Sequence, residues 1–106
     1  FRATFIAEAR EHLQTIEQGL LQLEGGADLE TLDAIFRAAH SIKGASGMFG
    51  FAEGGHLVHA MEGVLDRMRQ GALAPDVALV DALLRARDAL DVLVDAAEAN
   101  QPAGIA

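Results

Sequence analysis

The chain has 106 residues, a formal net charge of −8 and 51% apolar residues, a length suited to one domain whose core needs no metal or disulfide staple. It contains no cysteine, which excludes thiol catalysis and thiolate metal sites and favours a cytoplasmic location. The negative charge argues against nucleic acid or anionic membrane as a partner. No apolar run is long enough for direct membrane insertion, and the opening Phe1-Arg2-Ala3-Thr4-Phe5 lacks a signal-peptide layout.

Alanine and leucine are abundant, Trp and Tyr are absent, and there are two prolines, a composition that favours helices. In chain order, Phe5, Ala9, Leu13, Ile16, Leu20 and Leu23 repeat at amphipathic spacing and predict a first helix to about Glu24. Gly25-Gly26 ends it, and Asp28 is placed to cap a second helix. Leu32, Ile35, Ala39, Ile42, Ser46 and Phe49 form the core stripe of that second helix. Gly44, Gly47 and Gly50 weaken its end, and Gly47-Met48-Phe49-Gly50-Phe51 reads as a turn. Leu57, Met61, Val64, Leu65 and Met68 mark the apolar face of a third helix. Gly71 and Pro75 form the next connection, and Asp76 opens a fourth helix with Leu79, Leu83, Ala86, Leu90, Leu93 and Ala97 inward. These elements specify an all-α, antiparallel up-and-down four-helix bundle over residues 1–101, with 102–106 as the start of a linker.

Relative to the core stripe of the second helix, His40, Lys43, Gly44 and Gly47 point outward. Neighbours three and four residues apart share a helix face, so Lys43 and Gly44 lie one turn beyond His40. An exposed imidazole is a competent nucleophile near neutral pH, and phosphate on its nitrogen stays reactive enough to be passed on. Lys43 is the only lysine in the chain and can offset phosphate charge, while the glycines leave room for another protein's active site. On the third helix, His59 and Glu62 are three residues apart on the edge expected to face His40. A carboxylate there can hold one imidazole nitrogen as a hydrogen-bond acceptor and leave the other free to attack. Glu62 is the candidate for that role, and His59 for a supporting hydrogen bond.

Each residue has a blander reading. His40 and Lys43 alone are ordinary solvated side chains, the glycines alone a frayed helix end, and His59 with Glu62 a weak surface pair. His12 and His56 lack basic or glycine neighbours at helical spacing. Glu53-x-x-His56 matches the ligand spacing of a di-iron bundle, but no second Glu-x-x-His accompanies it. No metal site is expected. A second functional class is a non-catalytic helical docking module for a receiver or other signalling protein, using Met48 and the glycine-lined surface.

The run Phe36-Arg37-Ala38-Ala39-His40-Ser41-Ile42-Lys43-Gly44-Ala45-Ser46-Gly47-Met48-Phe49-Gly50-Phe51 resembles the phosphorylation-site segment of the CheA family of chemotaxis histidine kinases. His59-Ala60-Met61-Glu62 resembles the same family's partner segment, and the likeness in helical layout extends from Phe1 to about Gln101. Ala45-Ser46 stands where the family often carries Gly-Ala or Gly-Gly. The resemblance implies a histidine phosphotransfer domain in which His40 accepts phosphate from ATP bound by a separate kinase domain, in cis or in trans. It then donates to an aspartate of a response-regulator receiver domain. It also implies that Lys43 contacts the phosphoryl group, that Gly44 gives clearance, and that His59 and Glu62 belong to the hydrogen-bond network of His40. Ser41, Gly44, Gly47 and Met48 are the expected partner-facing residues. The domain itself would carry no cofactor and no ATP site, acting as a phosphoryl carrier within a larger phosphotransferase.

Overall fold

A computed structural model describes residues 2–24, 26, 28–46 and 51–99, without the side chains of Arg2 and Ala45. Helix α1 spans Arg2–Leu23, α2 Leu29–Ser46, α3 Ala52–Arg69 and α4 Val77–Ala99. The expected turn residues Gly47, Met48, Phe49 and Gly50, and the segment from Asn100 onward, lie outside the described residues.

Local signals account for the helix ends. The Asp28 carboxylate accepts a hydrogen bond from the Thr31 N–H at 2.7 Å, and Asp76 accepts one from the Leu79 N–H at 2.8 Å. Each aspartate thereby satisfies an otherwise unpaired amide of the first turn. The α3 C-terminus closes as a Schellman motif: Gly71, at φ 78°, donates to Met68 O at 3.1 Å and Ala72 to Arg67 O at 2.8 Å.

Each helix packs on both neighbours in the ring α1–α2–α3–α4. With three short connections the arrangement is an up-and-down bundle. Leu13, Ile16 and Leu20 of α1 meet Ile35 and Ile42 of α2, Val58, Met61 and Leu65 of α3, and Val80, Leu90 and Val94 of α4 in one core. At the end where α2 gives way to α3, Phe5 and Phe51 pack edge to face with centroids 5.5 Å apart. A side chain at Gly55 would press within 2.7 Å of Ser46 Oγ, and one at Gly54 would overlap the Phe51 ring. Small residues there allow α2 and α3 to approach closely.

Two core stripes are rotated from the sequence expectation. On α3, Val58 is fully buried while Leu57 and Val64 are flanking and half-buried; on α4, Val80 and Val94 take the central places expected of Leu79 and Leu93. In each of the three Leu-Val pairs the adjacent apolar residues lie about 100° apart on the helix, so periodicity alone leaves the phase uncertain by one residue. Packing settles it by placing the shorter branched side chain at the centre and the longer leucine on the flank.

Candidate functional site

The rotation of α3 decides how Glu62 sits. With Val58, Met61 and Leu65 facing the core, Glu62 lies at the border of that face, and its side chain is only 7% exposed. Its surroundings on α2 are polar. His40 Nδ1 lies 2.6 Å from Glu62 Oε2, and Lys43 Nζ lies 2.7 Å from Oε1. A carboxylate can only accept, so the proton of the first contact resides on Nδ1. The second contact is close in distance but poorly aligned as a hydrogen bond, since Oε1 has no well-directed donor among the described residues. It is an ion pair first.

Burial acts against the charged form of Glu62, but the adjacent Lys43 cation and the hydrogen bond with His40 outweigh it and hold the carboxyl below its ordinary value. The carboxylate is therefore ionised at neutral pH. Above it the His40 side chain is 62% exposed, and Nε2 has no hydrogen-bond partner among the described residues. One nitrogen is tied down and the other faces outward.

Around this centre Phe36, His40, Lys43, His59, Glu62, Gly63 and Asp66 line one shallow concave surface between α2 and α3. His59 is exposed on that surface and makes no hydrogen bond among the described residues. Ser41 is exposed beside His40, with its hydroxyl donating to Arg37 O at 2.9 Å. Among the described residues a Cβ at Gly44 or at Gly63 would meet nothing within 4 Å, so the described packing requires neither glycine. The expected partner-facing Gly47 and Met48 lie outside the described residues.

The structure also brings in residues not singled out from the sequence. The Phe36 ring lies nearly parallel to the His40 ring, at 8° with centroids 6.1 Å apart, and the Arg69 guanidinium carbon sits 4.0 Å over the Phe36 ring. Arg69 donates to Asp66 at 2.7 Å and Asp33 at 3.1 Å. The available signal was positional: Asp33, Phe36 and His40 succeed one another at helical spacing on α2.

Elsewhere, Glu53 and His56, the pair with di-iron spacing, are both exposed. Among the described residues no group of three or more His, Asp or Glu side chains is arranged to hold a metal ion. Nor is any described helix long and apolar enough to cross a membrane.

Comparison with known proteins places this geometry in a family. The Hpt domain profile matches residues 1–100. The chain is 43% identical over 91 residues to the chemotaxis protein CheA of Bacillus subtilis, covering 85% of this chain and 14% of that protein. It is 42% identical over 97 residues to the chemotaxis protein CheA of Salmonella typhimurium, covering 91% of this chain and 14% of that protein. The chain thus spans about one-seventh of the length of these relatives. Among solved structures, the CheA phosphotransferase domain from Thermotoga maritima superposes with a TM-score of 0.83 at 33% identity, covering 89% of this chain and 90% of that one. A four-helix bundle that presents a carboxylate-held histidine between its second and third helices, and that matches this profile over residues 1–100, belongs to the Hpt domain family.

Proposed function

We propose that this domain is the phosphoryl carrier of a chemotaxis-type histidine kinase, with His40 as the phosphorylated residue. The observation that carries this reading is the 2.6 Å bond from His40 Nδ1 to the buried Glu62 carboxylate on a ring that is 62% exposed. That bond holds the proton on Nδ1 and leaves the Nε2 lone pair directed to solvent.

The chemistry follows from that tautomer. The Nε2 lone pair attacks the γ-phosphorus of ATP held by a separate kinase domain. A bond forms between Nε2 and phosphorus, the bond from phosphorus to the bridging oxygen breaks, and ADP leaves with that electron pair. The ring now bears positive charge, which the Glu62 carboxylate beneath it offsets through the Nδ1 proton. Lys43, beside the carboxylate, adds a cation within reach of the phosphoryl oxygens. In the second transfer a carboxylate oxygen of a receiver-domain aspartate attacks phosphorus, the nitrogen–phosphorus bond breaks, and the electron pair returns to Nε2. Both transfers need positioning and charge compensation more than covalent assistance, and both partners can approach over the bare Gly44.

The test is uptake of label from γ-labelled ATP in the presence of a CheA ATP-binding kinase domain, followed by addition of a receiver domain. Wild type should acquire an acid-labile, base-stable label and lose it to the receiver, and His40→Gln should acquire none. Equal labelling of the two would refute the assignment.

A further inference from the structure

A single hydrogen bond does not orient an imidazole. The final torsion of a histidine side chain is broad and roughly two-fold, so a ring that is 62% exposed and, among the described residues, hydrogen-bonded only at Nδ1 remains free to rock about that contact. Rocking lengthens the Nδ1–Glu62 bond and sweeps Nε2 through a range of directions. Something else must set the plane of the ring.

The described structure holds one feature suited to that task. Phe36 lies one turn before His40 on α2 with its ring plane within 8° of the imidazole, an offset parallel arrangement within the favourable range for ring pairs. The same freedom of the last torsion applies to phenylalanine, so Phe36 can fix the plane of His40 only if its own ring is fixed. Arg69 lies 4.0 Å over the Phe36 ring, in the geometry of a cation–π contact. The guanidinium is fixed in turn from two helices, by Asp33 of α2 at 3.1 Å and Asp66 of α3 at 2.7 Å. Order is thus handed along the groove from two carboxylates to Arg69, from Arg69 to Phe36, and from Phe36 to the imidazole.

We propose that Phe36 and Arg69 are positioning residues for His40: the stacked Phe36 ring sets the imidazole plane, and Arg69, clamped by Asp33 and Asp66, holds the Phe36 ring in place. The inference rests on the reading of His40 as the phosphoryl carrier. It divides the labour at the site. A half-turn about the last torsion exchanges Nδ1 with a ring carbon and leaves the ring plane unchanged, so stacking cannot select between the two orientations. Glu62 makes that selection, and Phe36 with Arg69 restricts the plane in which it is made.

The test uses the full chain, labelled with 15N in its histidines, and two readouts. The first is the neutral tautomer population of His40, read from ring nitrogen shifts; the second is the initial rate of phosphate uptake from a CheA kinase domain. Phe36→Leu keeps apolar bulk and removes the ring, whereas Phe36→Tyr keeps the ring. Arg69→Met removes the cation and Arg69→Lys restores one. Phe36→Leu should lower the share of the Nδ1-protonated tautomer and slow uptake by roughly two- to fivefold, the scale of an exposed cation–π or ring contact. Phe36→Tyr should recover both. Arg69→Met should move both readouts in the same direction by less, with partial recovery in Arg69→Lys. Wild-type tautomer populations in both Phe36→Leu and Arg69→Met would overturn the proposal even if uptake is slowed. If wild type acquires no label at all, the carrier reading fails, and the tautomer shifts still decide whether Phe36 and Arg69 orient the ring.

Discussion

Among the described residues two seams of the bundle carry ion pairs, and their central contacts are built in opposite ways. Where α1 meets α4, Arg10 reaches Asp95 at 2.8 Å, Glu98 at 2.6 Å and Asp91 at 3.9 Å, with its side chain 38% exposed and all three acids in solvent. Where α2 meets α3, a carboxylate 7% exposed lies beneath a histidine and a lysine. Exposed pairs of the first kind contribute about 0–1 kcal/mol and are screened by salt. A buried charge of the second kind gives up solvation that its partners must return, and here Lys43 and His40 outweigh that loss. A bundle needing adhesion alone could place leucine at position 62. On the proposed reading of His40 as phosphoryl carrier, the α2–α3 seam keeps its charge for the state of the His40 ring, whereas the exposed pairs of the α1–α4 seam add only minor bracing.

The sharpest way to break this comparison is Glu62→Leu. The variant leaves His40 mostly exposed and Lys43 partly in solvent, so no charge is stranded in the core, and replacing a buried ion by an apolar side chain is often neutral or stabilising. Stability in urea should be unchanged or higher by about 1 kcal/mol, while phosphate uptake falls by on the order of a hundredfold, the lower end of acid–base and tautomer effects. A loss of stability with uptake retained would reverse the roles of the two seams.

Lys43→Met comes next. It removes a cation 2.7 Å from Glu62 and within reach of the incoming phosphoryl group. Uptake should fall by about tenfold, less than a fully buried electrostatic donor would lose, because Lys43 is itself partly in solvent.

The acid limb of stability separates the seams in a third way. The Glu62 carboxyl is held below its ordinary value, so it binds its proton more readily in the unfolded chain. Its stabilising contribution is complete above the ordinary carboxylate value and disappears as pH falls through the lowered one. Wild type should therefore lose stability relative to Glu62→Leu across that acid range in urea titrations. A constant difference would show that folding does not lower the Glu62 carboxyl, and a gain of stability toward acid would show that it is buried neutral.

The smallest effect belongs to Arg10→Met. Its removal should cost about 0.5 kcal/mol at low salt, fade at high salt, and leave uptake at the wild-type rate.

The fold and the position of His40 were legible because both depend on spacing along one helix at a time. Asp28 and Asp76 announced their helices, and His40 with Lys43 and Gly44 shared an outward face. The environment of Glu62 was not legible to the same depth. Its burial depends on the phase of α3, which turned on whether Leu57 or Val58 led the core stripe, a choice made by packing against other helices. Asp33, Phe36 and Arg69 were harder still, since the stack exists only when the start of α2 lies beside the end of α3. His59 illustrates the converse: its spacing from Glu62 suggested a supporting hydrogen bond, and the described structure places it on the same concave surface without one.

The most direct test of the role given to Glu62 is the site of phosphate attachment on the ring. Nuclear magnetic resonance of the phosphorylated, 15N-histidine-labelled domain distinguishes the two nitrogens of His40. Phosphate on Nε2 with a proton retained on Nδ1 is the result required by the 2.6 Å bond to Glu62. Phosphate on Nδ1, or no phosphate on His40, would contradict it.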